Sequence, residues 1–122
     1  MAADIVAIAK QFTDFYYSTF DTNRASLGSL YRDTSMLTWE GQPIQGRDSI
    51  SEKLTSLPFA SVQHKVTTSD VQPIQNGIVV YVTGLLVVDD STNPLQFGQV
   101  FNLTQEGDSF FIQNDIFRLN YG

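Results

Sequence analysis

The sequence has no cysteine, a single histidine and a single tryptophan in 122 residues. Without cysteine there is no disulfide, no thiol nucleophile and no thiolate metal site, a composition that fits a cytosolic or nuclear protein. No run of about 18 apolar residues occurs, so no membrane insertion is expected. The opening Met-Ala-Ala-Asp-Ile-Val has no basic region ahead of an apolar stretch and does not read as a signal peptide. Basic residues are scarce: seven Lys and Arg stand against 13 Asp and Glu, for a net charge of −6. Nucleic acid is a poor partner for such a surface, because neutralising phosphates takes clustered Lys and Arg. A basic protein patch is a better one, since an acidic field hastens its arrival; the plainer reading is that mild acidity keeps the domain soluble. Phosphate loop, zinc spacing, Gly-x-Ser-x-Gly elbow and dinucleotide fingerprint are all missing, so no metal or cofactor is expected.

What is present is an apolar fraction of 42% with 12% aromatics, enough for one domain, residues 1–122, around one core. Residues 4 to 20 read as an amphipathic helix capped by Asp4, with Ile5, Ile8, Phe12, Phe15, Tyr16 and Thr19 on its inward face. Asp21-Thr22-Asn23 breaks it and starts a short second helix with Leu27, Leu30 and Tyr31 inward. Residues 35 to 40 form a first strand. Gly46 opens a third helix on Ile50, Leu54 and Leu57, which Pro58 stops.

From Ser61 the period becomes two. Val62, His64, Val66 and Thr68 share a face, and Pro73 ends that strand or marks an edge. Asn76-Gly77 is a hairpin signal. Ile78 to Val88 is almost wholly apolar, so both of its faces need cover. After a loop over residues 89–94, Leu95 to Thr104 alternates Phe97, Gln99, Phe101 and Leu103. Glu106-Gly107-Asp108 turns it into a last strand, Ser109 to Leu119. Helices first and long antiparallel strands last give an α+β domain, a curved antiparallel sheet wrapped over three helices. Its concave side suits a pocket and its apolar outer side a homodimer through the sheet.

The candidate site grows from Trp39 and Glu40, adjacent at a strand end before the turn Gly41-Gln42-Pro43. Strand alternation sends them to opposite faces, one to line a pocket and one to meet a basic partner at its rim. The plain alternative is a core tryptophan beside a solvated acid. Phe117, on one face with Asp115 and Leu119, can floor the pocket that Trp39 walls. Asp89 and Asp90 are adjacent acids on a loop; two carboxylates are too few for a calcium site, and a solvated turn is the simpler reading. An aromatic pocket with the acids Glu40, Asp89 and Asp90 at its rim is laid out as a binding hot spot for one apolar side chain flanked by Lys or Arg. A rival reading pairs His64 with Asp115 as acid and base of a small-molecule enzyme, of isomerase or dehydratase type, with no nucleophile or oxyanion donor to join them.

Several stretches together resemble the nuclear transport factor 2 family, in its fungal branch: Phe12-Thr13-Asp14-Phe15-Tyr16-Tyr17, Leu37-Thr38-Trp39-Glu40-Gly41, Glu52-Lys53-Leu54-Thr55-Ser56-Leu57-Pro58-Phe59, Val62-Gln63-His64 and Asn114-Asp115-Ile116-Phe117-Arg118-Leu119. The spacing is kept over essentially the whole chain. The resemblance implies a homodimer of cone-shaped subunits and a non-enzymatic carrier, in cytoplasm and nucleus and concentrated at the nuclear pore. It implies binding of the small GTPase Ran in its GDP form and of Phe-Gly repeat nucleoporins. By position it assigns Trp39, Phe117 and His64 to a cavity that receives an aromatic side chain of Ran, and Glu40, Asp89 and Asp90 to its rim. It places the Phe-Gly contact near the start of the first helix, at Ile5, where an aromatic is common in the family, with Gln45, Pro73 and Asn76 as weaker candidates.

Overall fold

The computed structural model describes residues 4–58, 60–89 and 92–120. Helix α1 (Ile5–Thr22) buries Ala9, Thr13, Tyr16, Tyr17 and Phe20. Asp4 stands at its N-cap, but its side chain makes no capping hydrogen bond. The expected inward face needs one correction. Phe15 is 56% exposed, whereas Tyr17 is buried. Three successive aromatics cannot share one arc at about 100° per residue, and the arc centred on Tyr16 and Phe20 leaves Phe15 outside. Ile5, Ile8 and Phe12 pack at the margin of the core.

A 3-10 helix over Arg24–Leu30 buries Leu27. Tyr31, expected in that helix, instead begins strand β1 (Tyr31–Trp39). A short β2 (Gln42–Gln45) pairs back on β1. Gly46 follows at φ 93°, a left-handed turn that glycine makes without strain, and starts α2 (Arg47–Thr55), which buries Ile50 and Leu54. Four long strands complete the chain: β3 (Val62–Ile74), β4 (Gly77–Val88), β5 (Leu95–Glu106) and β6 (Ser109–Asn120).

The six strands form one curved, unclosed sheet in the order β2-β1-β6-β5-β4-β3. It is mixed: β1 runs parallel to β6, and every other pair is antiparallel. The parallel pair arises because α2 and β3–β5 lie between the two strands and carry the chain back to the same end, as a parallel connection requires. Pro73 does not end β3. It pairs with Ile78 inside the strand, and β3 is the outer edge, where a residue without an N–H costs the ladder least. A register shift between Val66 and Thr68 marks a bulge. There the strands come close: a Cβ on Gly84 would lie 2.3 Å from the Lys65 carbonyl oxygen.

The helices cover one face of the sheet. Ile78, Val80, Val82 and Leu86 of β4 point into the core, as do Phe97, Gln99, Phe101 and Leu103 of β5 and Ile112, Asp115 and Phe117 of β6. Phe101 meets Phe12 and Tyr16 edge-on, both at 4.8 Å between centroids. The other face carries exposed Tyr81 and Ile116. Beside Tyr81 is a shallow hollow of about 690 Å³ reaching Thr83, Gly98 and Arg118.

Candidate functional site

At the open end of the sheet, register sets Trp39 beside Phe117 and Phe97 beside Leu119. Trp39 and Phe117 stack with centroids 4.1 Å apart and planes within 10°. Phe97 continues the stack at 5.7 Å from Phe117, and Phe20 of α1 lies parallel to Trp39 at 6.2 Å. Phe20, Trp39 and Phe117, with Leu57, Leu86 and Leu95, surround a cavity of about 230 Å³. Parallel rings present flat, weakly hydrated surface, the setting in which one more apolar side chain gains most.

Two polar side chains line that cavity, Glu40 and His64. Glu40 follows β1 at φ 50°, outside the strand region. The alternation expected of Trp39 and Glu40 therefore fails, and both turn to the same cavity. Glu40 is tied down twice. Its N–H donates to the Phe117 carbonyl at 3.0 Å, and its Oε1 accepts the Leu119 N–H at 2.6 Å. One carboxylate oxygen thus anchors to β6, and among the described residues none bonds the other. His64 is held by Asp21 at the end of α1. Asp21 Oδ2 accepts the His64 backbone N–H at 2.9 Å and Oδ1 lies 2.6 Å from Nδ1. Rings of Tyr17, Phe20 and Phe97 enclose the imidazole at 4.8, 4.9 and 5.4 Å, and its side chain is 2% exposed.

Asp89 does not line the aromatic cavity. It lies in a neighbouring polar hollow with Asp21 and His64, again at a left-handed φ of 51°. Its Oδ1 accepts the N–H groups of Ala60 and Ser61 at 2.8 and 3.0 Å, and its own N–H donates to the Ser61 carbonyl at 2.8 Å. Glu40 and Asp89 are thus both fixed by amides of a neighbouring segment. Asp90 lies outside the described residues.

The proposed pairing of His64 with Asp115 does not exist. Asp115 is 1% exposed, beneath the helices and away from the cavity lining. Its carboxylate accepts from the Tyr31 hydroxyl at 2.6 Å and from Gln99 Nε2 at 2.8 Å. Tyr17 donates to Gln99 Oε1 at 2.8 Å. Burial pushes the Asp115 carboxyl up to about 6 against these stabilising hydrogen bonds. Burial, and then the Asp115 charge, raise the Tyr31 hydroxyl well above the usual phenol range. Every partner is internal, so the group specifies the core and has no route to a substrate.

Of the residues expected to contact Phe-Gly repeats, Ile5 is half-buried and Gln45, Pro73 and Asn76 are exposed. They do not gather at one place on the chain. Gln45 is on β2, at one edge of the sheet, whereas Pro73 and Asn76 belong to the β3 side. Five strand spacings of about 4.8 Å separate the two edges.

Four cavity features escaped the sequence reading. Phe20 stands four residues after Tyr16, so the helical period carried its signal. Leu57 was read as part of the apolar face of the third helix and Pro58 as its stop, whereas the helix ends at Thr55 and both residues line the cavity. Asp21 lies 43 positions from His64, and no local pattern joins them.

Residues 8–119 match the family model described as the nuclear transport factor 2 domain. The chain belongs to the nuclear transport factor 2 family. Nuclear transport factor 2 of Eremothecium gossypii is 55% identical to it, over 99% of this chain and 98% of the relative. That of Emericella nidulans is 56% identical over 98% of each. The structure of nuclear transport factor 2 from Cryptosporidium parvum superposes with a TM-score of 0.93 at 48% identity, covering 98% of both chains. Family membership accounts for the mixed curved sheet and the three helices beneath it.

Proposed function

We propose that this chain is a non-enzymatic carrier that binds Ran in its GDP form through the aromatic cavity and its anchored acids. The coarser function, transport between cytoplasm and nucleus, follows from its place among full-length nuclear transport factor 2 relatives. The observation that carries the finer reading is the stack of Trp39 on Phe117 with the Glu40 carboxylate pinned at the same cavity. An inserted phenylalanine would be buried on aromatic faces, contributing roughly 1.5–3 kcal/mol. Lys or Arg beside it would meet the Glu40 carboxylate, and Asp89 close by, each exposed pair adding less than about 1 kcal/mol. The sum is a modest, reversible affinity, suited to cargo that must be released.

The same reading makes the protein a homodimer through the outer sheet face, where Tyr81 and Ile116 stand exposed. Phe-Gly repeats then dock near Ile5, with Pro73 and Asn76; Gln45 joins them only if the second subunit supplies it. Concentration at the nuclear envelope and pore follows from that contact. The small-molecule enzyme is the weaker reading, because Asp115 is sealed away from His64 and from the cavity. Titration calorimetry against Ran loaded with GDP, and separately with a GTP analogue, tests the proposal. Binding of the GDP form alone is expected; no binding of either form by a folded dimer overturns it.

A further inference from the structure

We infer that the aromatic cavity also binds free, neutral aromatic molecules that carry a hydrogen-bond donor, of the phenol class, with His64 Nε2 accepting the donated proton. This goes beyond the carrier reading. The ligand is a small molecule rather than a protein side chain, and the inference stands on the cavity alone.

Size comes first. The cavity holds about 230 Å³, and an apolar cavity of about 150 Å³ already takes benzene. The stacked rings of Trp39 and Phe117 offer a flat wall to a planar ligand. Polarity then selects the class. A carboxylate only accepts, so Asp21 Oδ1, 2.6 Å from Nδ1, holds a proton on that nitrogen. In the neutral imidazole Nε2 is left with a lone pair. Asp21 also grips the His64 backbone N–H, so the ring is fixed from two points and cannot turn to hide that lone pair. Among the described residues no group bonds Nε2, although the side chain is 2% exposed and packed against Tyr17, Phe20 and Phe97. A ligand that supplies a donor gains a hydrogen bond at that nitrogen, and His64 lines the cavity it would enter. The other polar group of the lining, Glu40, is an acceptor as well. Both features call for a donor, and the Glu40 charge repels an aromatic anion.

Trp39 is the sole tryptophan, so its emission reports the cavity directly. The full chain is titrated with phenol, with toluene (nearly the same shape, without the donor) and with benzoate. Saturable quenching by phenol and none by benzoate are expected. In His64→Phe the affinity for phenol relative to toluene falls roughly fivefold, the worth of one hydrogen bond, while retained toluene binding reports an intact cavity. Asp21→Asn supplies an independent arm: its amide donates to Nδ1, moves the proton to Nε2 and lowers the same ratio. If His64→Phe does not fold, Asp21→Asn decides. An unchanged phenol-to-toluene ratio in the folded variants overturns the inference, as does benzoate binding as tight as phenol or no saturable phenol binding. Saturating phenol is then added to the Ran·GDP titration. Phenol binding that leaves Ran·GDP affinity unchanged supports this inference and removes the inserted side chain. Ran·GDP binding that depends on Trp39, with no phenol binding, does the reverse.

Discussion

The Trp39 indole lies 4.1 Å from the Phe117 ring and within 10° of parallel to it, although 78 positions separate them in the chain. The parallel pairing of β1 with β6 places them side by side. Trp39→Ala removes one wall of the cavity and leaves Phe117 to solvent. The variant should fold, lose about 2 kcal/mol of stability because Trp39 is only partly buried, and bind Ran·GDP at least tenfold more weakly. Urea unfolding and titration calorimetry measure the two effects, and unchanged affinity removes the cavity from the binding site.

Glu40 combines an anchor and a charge, and two substitutions separate them. Glu40→Gln keeps an oxygen for the Leu119 N–H and loses the charge, so stability should hold while Ran·GDP affinity falls about tenfold. Glu40→Lys reverses the charge and should abolish binding, at a cost of about 1–2 kcal/mol for the lost anchor. Equal, wild-type affinity in both would show that Glu40 meets no basic partner.

Asp89 is a clamp before it is a charge. Asp89→Asn retains an acceptor for the Ala60 and Ser61 N–H groups, whereas Asp89→Ala releases both. The alanine variant should lose about 1 kcal/mol of stability and the asparagine variant almost none. Partner affinity should fall further in the alanine variant, because the freed segment adjoins Leu57 and Pro58 of the cavity lining. If the two variants bind alike, only the charge matters.

Asp115 makes stability depend on pH. Its pKa is raised by burial from 3.8 to about 6, so the folded state favours the protonated carboxyl. The stabilising effect is complete below about pH 4 and is lost as pH rises through about 6, a difference of about 3 kcal/mol. Asp115→Asn has no proton to lose. The stability of this variant minus that of the wild type should therefore grow by that amount from about pH 3 to about pH 7.5. Urea unfolding at the two pH values measures it; a difference independent of pH would mean the carboxyl is not perturbed.

The parts legible in the sequence were those with a repeating physical constraint. In β5, alternation placed Phe97, Gln99, Phe101 and Leu103 on one face, and all four are buried. The hairpin at Asn76-Gly77 was equally plain, whereas α2 ends at Thr55, short of the expected stop at Pro58. Helix α1 was legible as a helix but not in its rotation, because Phe15, Tyr16 and Tyr17 are interchangeable to a count of apolar residues. Glu40 was misdirected because alternation holds only while φ stays extended. The Tyr31–Asp115 and Asp21–His64 contacts were invisible: they span 84 and 43 positions, and only the folded topology brings such residues together.

The parallel pairing of β1 with β6 has a consequence for how the protein is made. β1 is synthesised before the other five strands and β6 after them, yet each is the other's neighbour. Until β6 emerges, Tyr31 has no Asp115 to bond, Trp39 has no Phe117 to lie against, and the apolar face of β5 lacks its flank. Pairings this distant form late, because loop closure must precede the contacts that reward it. The nascent chain therefore carries an open, aromatic-rich sheet face until β6 has been made, and is exposed to aggregation until that strand closes the core.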